Sequence, residues 1–419
     1  MINSVPQRGI TLTNATADRA AELRDKLADE LVSAGHITSA RVEAAFRAVP
    51  RHAFVPDGTP MEVAYNADES VAIKTDERGV LISSTSAAFL QARMIEQAGI
   101  QPGMNVLEYG SGGYNAALLA EIVGPGGRVV SVDIDQDVTD RACAALEATG
   151  YGNRVRVILA DAEHGVPDLG VFDAIIVTVG AWDIPPAWLE QLAEDGVLVV
   201  PLRMNGITRS IAFHREADHL VSDSAEVCGF VAIQGAGEHI DQIFRLPDAD
   251  GHHVDLQFDD GAPEDPGLLD GVLASGRTEV WSGITIANGV SFADLHLWFV
   301  SFLSGFCRVA AEEGTDLAGE RGTWFPFGVV RGDSFAYLAI RPAAGDAGFE
   351  FGARAYGAHG QEAATAMVEQ IQAWDHSARS GPAPTIAYWP TGTDPQIPDR
   401  AAVLTKAHGL VTISWPATS

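Results

Sequence analysis

Residues 106–120 read VLEYGSGGYNAALLA: an apolar, strand-like start, a glycine cluster, then a run rich in Ala and Leu that favours a helix. A strand that ends on glycines and opens a helix is where open α/β sheets meet their ligands. The spacing narrows the choice. A dinucleotide fingerprint needs G-x-G-x-x-G, whereas the order here is Gly110-Ser111-Gly112-Gly113-Tyr114, with no Lys-Ser/Thr pair for a nucleoside triphosphate. The turn therefore suits a different ligand.

Downstream, short β-branched runs alternate with helical or turn segments: NVLEY, RVVSV, RVRVILA, FDAIIVTV and GVLVVPL. That rhythm predicts parallel strands joined by crossover helices, a doubly wound sheet. RSIAFHRE and HLVSD…EVCGFVAI follow with a short turn between them, and predict an antiparallel hairpin at one sheet edge, with the domain ending near residue 235. Upstream, Ala20, Leu23, Leu27 and Leu31 share one face of an amphipathic helix that Gly35 ends. Thr38 is expected to cap a second helix running to Val49, with Val42, Ala45, Phe46 and Val49 buried. Residues 57–86 read as loop and lead into the helical SAAFLQARMIEQAG.

The C-terminal part has no strict alternation. DADGHHVDLQFDDGAPEDPG is acidic and turn-rich; EVWSGITI, SFAYLAIRP, FEFGARAYG and GLVTISWP read as strands, 292–313 and 360–375 as helices. An α+β accessory domain over 236–419 is the expectation, with 1–80 as an N-terminal helical segment and 81–235 as the ligand-binding domain.

A chain of 419 residues exceeds what one core usually fills, so about two domains are expected. No apolar run reaches the roughly 18–20 residues that span a bilayer, and the N-terminal stretch shows no secretory pattern, so the expectation is no membrane partner and a cytoplasmic address. The three cysteines, Cys143, Cys228 and Cys307, lack CxxC or Cys/His spacing, which favours reduced thiols over disulfides or zinc. With 27 Lys plus Arg against 56 Asp plus Glu, the net charge of −29 repels phosphate backbones, so no nucleic acid is expected as partner. His239 and the pair His252-His253 recur without metal-site spacing, and no metal is expected.

Three acids stand at successive strand tips: Glu108, Asp133 and Asp161. At the carboxyl edge of a parallel sheet, Asp133 is placed to accept two ribose hydroxyl hydrogens, Asp161 to accept from an adenine amino group, and the glycines to let main chain approach a small zwitterion. Singly, each acid is more often a helix cap. Together they point to a nucleoside.

With VEAAFRAVPRHAFVP (42–56), the glycine turn and FDAIIVTVGAWDIPPAWLEQLAEDGVLVVPL (172–202), these residues resemble the S-adenosylmethionine-dependent methyltransferases, and more narrowly the protein-L-isoaspartate O-methyltransferase family, over about residues 20–235. The chain is most similar to the branch bearing an extra C-terminal domain, the FxLD-type methyltransferases associated with lanthipeptides and other ribosomally made, modified peptides. The resemblance implies a Rossmann-like class I methyltransferase sheet with N-terminal helices and an added C-terminal α+β domain. It implies S-adenosylmethionine as cofactor, with S-adenosylhomocysteine as product. It assigns Glu108, Gly110, Ser111, Gly112, Tyr114, Asn115, Asp133, Ile134, Asp161 and Ala162 to the cofactor.

The family's active-site serine lies in an I-S-x-P segment before a helix, and here Ile82-Ser83-Ser84-Thr85-Ser86 lacks the proline. Matching Ile-Ser selects Ser83; counting back from the helix selects Ser86, the preferred register, with Thr85 between them. These hydroxyls equally suit a helix N-cap. Trp182 and Asp183 are expected beside the peptide, though a Trp there is as readily core. Arg51 and His52 either touch substrate or, for Arg51, pair with a nearby acid.

The implied reaction is esterification of an aspartate carboxylate in a modified precursor peptide, leading through succinimide to isoaspartate. General repair of isoaspartyl damage is the alternative, and a cofactor-binding regulator or scaffold without catalysis is the reading from another class.

Overall fold

The computed structural model describes residues 14–110, 112–343 and 348–416. They divide into two compact units. The first holds the described residues up to Gly180 with Ala187–Pro201 and Phe230–Ala236; the second holds Ala181–Pro186, Leu202–Gly229 and the described residues from Gly237. The division is discontinuous, and 202–229 group with the C-terminal part rather than with the segment 81–201.

In the first unit, α1 (Asn14–Ser33) and α2 (Ala40–Ala48) bury the stripes their periodicity announces, Leu27, Leu31, Phe46 and Val49 all being essentially inaccessible. The cap of α2 is Ser39, not Thr38: its hydroxyl accepts from the Val42 amide, while Glu96 accepts from the amides of Thr38 and Ser39. After the one-turn α3 (Met61–Ala64), the stretch read as loop forms an antiparallel hairpin, β1 (Val71–Thr75) and β2 (Leu81–Thr85). Asp76 closes its turn by accepting from the amides of Arg78 and Val80.

Helix α4 (Ala88–Ala98) leads to β3 (Asn105–Tyr109), α5 (Tyr114–Val123), β4 (Arg128–Asp133), α6 (Gln136–Ala148), β5 (Val155–Leu159), β6 (Phe172–Val177), α7 (Pro186–Gln191) and β7 (Leu192–Met204). The five strands run parallel in the order β7-β6-β3-β4-β5. Chain order reverses between β3 and β6, so the carboxyl ends of those strands flank the crevice where such sheets bind ligands. Strand residues Val106, Leu107, Val129, Val130, Ile175 and Ile176 are all fully buried, because crossover helices cover both faces of a parallel sheet.

In the second unit, β8 (Ile207–Glu216) and β9 (His219–Val227) form the expected hairpin. It is not an edge, since β9 also pairs with a strand from the C-terminal region. The acidic stretch read as turns holds a hairpin, β10 (Gln242–Pro247) and β11 (His253–Phe258), closed by Asp248. After β12 (Thr278–Ile286), the helix expected over 292–313 stops early: α8 is Ala293–Phe302, and β13 (Phe306–Ala311) follows. Gly305 makes that break at φ +82°, where an added Cβ would strike the Val330 carbonyl. The one-turn α9 (Asp316–Gly319), β14 (Trp324–Arg331), β15 (Ser334–Pro342) and β16 (Phe349–Tyr356) complete an antiparallel sheet ordered β10-β11-β13-β14-β15-β16-β12. Helix α10 (Gly360–Ser377) packs on it through Ala363, Ala364, Met367, Ile371 and Trp374. Strands β17 (Thr385–Pro390), β18 (Ala401–Thr405) and β19 (Gly409–Ser414) join β8 and β9 in the order β8-β9-β17-β19-β18. Among the described residues no helix is long and apolar enough to cross a membrane.

Candidate active site

A cleft open to solvent at its mouth lies at the carboxyl ends of β3, β4 and β6. Gly110 and Gly112 form its floor with Tyr109; Asp133 and Ile134 come from the tip of β4, Ala162 from beyond β5, and Thr178 and Val179 from beyond β6. Ile82, Ser83 and Ser84 of β2 add one wall and Val231–Gln234 another.

Gly110 is held at φ +100°, and a Cβ there would overlap the Thr178 hydroxyl and lie 3.3 Å from Val179. That hydroxyl donates to the carbonyls of Tyr109 (3.0 Å) and Gly110 (2.9 Å), binding the tips of β3 and β6 together. A Cβ on Gly112 would meet nothing within 4 Å, so this glycine leaves space open. Ser111 lies outside the described residues. Asp133 accepts from the Asp135 amide through Oδ1 (2.9 Å) and lines the cleft.

Glu108 does not line the cleft. It is fully buried, with Oε1 accepting from Asn115 Nδ2 (2.9 Å) and Oε2 from the Ser131 hydroxyl. Burial pushes its pKa up to about 7, against the lowering pull of those two donors, and Asp133 adds to the rise. Glu108 and Asn115, which the resemblance assigns to the cofactor, are bonded to each other, and with Ser131 they clamp β3, β4 and α5 beneath the turn that carries Gly110.

Asp161 is also spent internally. One oxygen accepts from the Glu163 amide (3.0 Å) and the other from Ala236 (2.8 Å), which fastens the segment whose residues 231–234 form a cleft wall. Gly180 secures the same wall, donating to the Val231 carbonyl (2.7 Å) and accepting from the Ile233 amide (3.0 Å). Sequence reasoning took 231–234 as the end of a strand. The signal was Gly235, at φ +86°, whose absent Cβ makes room for the Asp161 carboxylate.

The serine segment divides along its length, neighbouring Ser83 and Ser84 both lining the cleft. Ser83 lines the cleft, Thr85 is buried with its hydroxyl 3.2 Å from the Phe54 carbonyl, and Ser86 is not among the lining residues. The register matching Ile82-Ser83 therefore brings a hydroxyl to the site, and the preferred Ser86 does not. The N-cap of helix α4 is Ala87, with no side-chain cap, so none of these hydroxyls serves as one.

Arg51 forms no ion pair with an acid among the described residues. It is fully buried, donating to the carbonyls of Ala64 (2.8 Å) and Ser86 (2.7 Å) and to Gln91 Oε1 (2.7 Å), with its guanidinium 4.9 Å from the Tyr114 ring centre. Tyr114 is itself buried edge-on to Phe46, away from the cleft lining. His52, half-buried, meets the Tyr65 hydroxyl at 2.7 Å, and burial lowers its pKa. A residue missed from sequence is Lys74 of β1, which salt-bridges Asp135 and Asp137 (2.7 Å each). It ties the hairpin bearing Ser83 to the helix that follows Asp133.

Trp182 and Asp183 fall in the second unit. Asp183 accepts from the Tyr388 hydroxyl (2.9 Å) and the His408 amide (2.6 Å), and the Trp182 ring is stacked on His239 at 4.0 Å. Both build that unit's interior framework.

The family profile described as "Protein-L-isoaspartate(D-aspartate) O-methyltransferase (PCMT)" matches residues 22–238. The chain belongs to that family. A protein-L-isoaspartate O-methyltransferase of Methanopyrus kandleri is 41% identical over 180 residues, 43% of this chain and 76% of the relative. One from Pyrococcus horikoshii is 41% identical over 173 residues, 41% of this chain and 74% of its own. A solved protein-L-isoaspartate O-methyltransferase structure shares 26% identity with a TM-score of 0.47, covering 56% of this chain and 84% of that one. The chain is an S-adenosylmethionine-dependent carboxyl O-methyltransferase, and its family's methyl donor is S-adenosylmethionine.

The residues of this methyltransferase fit that cofactor. Gly110 supplies main chain where no side chain fits, and a carboxylate waits at the β4 tip.

Proposed function

We propose that the enzyme esterifies an aspartyl or isoaspartyl carboxylate of a peptide at the mouth of this cleft, and that its second unit restricts the substrate to a ribosomally made, modified peptide. The observation that carries the first part is Ser83 facing the same space as Asp133, Gly110 and Ala162.

In this reading Gly110 and Gly112 take the amino-acid end of S-adenosylmethionine through main-chain groups, Asp133 accepts from the ribose hydroxyls, and Ile134 and Ala162 pack on the base. When bound, the cofactor supplies an electrophilic methyl on a sulfonium. An aspartyl carboxylate, with an unperturbed pKa of about 3.9, is ionised at neutral pH and needs no general base. Ser83 donates to one carboxylate oxygen and aims the other. Apolar walls from Ile82, Val179 and Ile134 exclude water; orientation of this kind lowers barriers by about 7–11 kcal/mol in favourable cases. The ester then reacts without further help: the next backbone nitrogen attacks its carbonyl, methanol leaves, and hydrolysis of the succinimide yields aspartate or isoaspartate.

Restriction to a modified peptide is supported by the extent of the second unit, whose residues from 239 onward lie beyond the family match. General repair of isoaspartyl damage is the second reading, favoured by the names of the relatives. The free thiols Cys143, Cys228 and Cys307 support a reducing, cytoplasmic setting.

Labelled S-adenosylmethionine offered with isoaspartyl test peptides and with aspartyl cyclised peptides separates the two. Transfer to the cyclised aspartyl peptide supports the modified-peptide reading; transfer to isoaspartyl peptides alone supports repair. Ser83→Ala should lower turnover about tenfold or more, the worth of a hydrogen bond to a charged group, and Ser86→Ala should leave it near wild type. The reverse pattern would restore Ser86.

A further inference from the structure

Ile82, Ser83 and Ser84 are consecutive in β2, yet all three line the cleft. A regular strand sends successive side chains to opposite faces. The β1–β2 ladder is not regular. Ala72 pairs with Ser84, Lys74 with Ser83 and Thr75 with Leu81, so Ile73 is an extra residue in β1 and Ile82 an extra residue in β2. The two bulges cancel: the register is the same on either side, and only the Lys74–Ser83 pair between them is displaced. Bulges re-aim side chains and gather beside active sites.

Both hydroxyls are uncommitted. Among the described residues neither Ser83 nor Ser84 spends its side chain on a hydrogen bond, whereas Thr85, next in line, is buried and donates to the Phe54 carbonyl (3.2 Å). The other cleft-lining side chains that carry an O–H or N–H are placed differently. Thr178 donates to the Tyr109 and Gly110 carbonyls, Tyr109 lays its ring on Trp188 (5.1 Å between centres), and Gln234 belongs to the 231–234 wall. The displaced pair also carries a clasp. Among the described residues the β1–β2 hairpin pairs with no other strand, and two-stranded hairpins are marginal alone. Thr85 and the Ser86 carbonyl, which accepts from Arg51, hold its base. Further out, Lys74, across from Ser83, donates to Asp135 and Asp137 at the start of α6 (2.7 Å each). Asp135 caps α6, and its amide donates to Asp133 Oδ1 (2.9 Å), so one lysine connects the serine pair to the acid at the β4 tip.

We propose that Ser84 is a second catalytic hydroxyl, acting with Ser83 on the accepting carboxylate, and that Lys74 is the positioning residue of the pair. Two donors suit one carboxylate oxygen, which has two lone pairs to offer. Held twice, that oxygen fixes the plane of the carboxylate and becomes the ester carbonyl, while the other oxygen stays free to attack the methyl. This pair rests on the peptide-methyltransferase reading and extends it from one hydroxyl to two.

The test uses the full chain, labelled S-adenosylmethionine, the isoaspartyl peptide Ac-Ala-isoAsp-Gly-NH2 and a cyclised aspartyl peptide. On whichever peptide wild type methylates, Ser84→Ala should lower kcat/KM about tenfold or more, the worth of one hydrogen bond to a charged group. Ser84→Thr keeps the hydroxyl and should retain most of the activity, and in both variants S-adenosylhomocysteine affinity and melting should stay at wild-type values. Lys74→Met should cost a similar factor at unchanged melting, since a partly exposed ion pair adds little stability, and Lys74→Arg should recover it. The positioning role is read in a double variant: once Lys74→Met has released the hairpin, adding Ser84→Ala should cost about twofold or less. Turnover by Ser84→Ala within about twofold of wild type, or Ser84→Thr as slow as Ser84→Ala, overturns the second hydroxyl. Full additivity of the Lys74→Met and Ser84→Ala losses overturns the role of Lys74. Transfer by wild type to neither peptide refutes the methyltransferase reading and the serine pair with it, an outcome distinct from transfer that ignores Ser84.

Discussion

Replacing Gly110 with alanine puts a methyl group against the Thr178 hydroxyl, at a residue held at φ +100°. The backbone conformation costs an L-residue about 1–2 kcal/mol, and displacing Thr178 from its two carbonyl acceptors about 1–3 kcal/mol more. A loss of about 2–5 kcal/mol is expected, against less than about 0.5 kcal/mol for Gly112→Ala, whose methyl meets open space. Denaturant unfolding is the assay, read on the transition that S-adenosylhomocysteine shifts, since a ligand stabilises the unit that binds it. A double-mutant cycle with Thr178→Ala isolates the contact. Removing the hydroxyl should return the steric share, leaving the backbone share and a coupling energy of about 1–3 kcal/mol. If Gly110→Ala unfolds with wild-type stability and binds S-adenosylhomocysteine as tightly, the claim that this glycine is sterically required is wrong.

Glu108 should make stability depend on pH. Its folded pKa of about 7 lies above the ordinary value of 4.5, so between those values the native state keeps a proton that the unfolded chain has released. The contribution is therefore complete below about pH 4.5 and lost as pH rises through 7, about 3 kcal/mol in all. Glu108→Gln should flatten that slope relative to wild type, and an unchanged slope from pH 5 to 7 would refute the assignment. Arg51→Ala leaves the Ala64 and Ser86 carbonyls and Gln91 Oε1 without their buried donor, and should destabilise the protein by about 3–5 kcal/mol. A loss below about 1 kcal/mol in denaturant titration would return Arg51 to consideration as a surface group.

The alternation over residues 105–202 was enough to announce the parallel sheet, its ligand edge and the tip position of Asp133, because strand and crossover patterns repeat locally. So were the stripes of α1 and α2, where each apolar residue points to the face its spacing dictates. Elements that depend on partners far along the chain were less legible. The β1–β2 and β10–β11 hairpins are short and half-exposed, and their best signals were the Asp-led turns at Asp76 and Asp248. The apolar run through 302–306 suits a helix and a buried strand equally, and only the approach of Gly305 to the Val330 carbonyl decides where one ends.

What the residue order determined by itself is the parallel sheet and, through the family resemblance that its motifs carry, the cofactor class, since both are written in a few contiguous segments. Tertiary structure alone decided which polar groups face the cleft: it engaged Glu108, Asp161 and Arg51 in internal hydrogen bonds, left Ser83 but not Ser86 among the lining residues, and brought residues 231–234 back as a wall. A side chain's chemistry is written in its type. Its partner, burial and direction are set by packing among segments distant in the chain, and no local pattern encodes them.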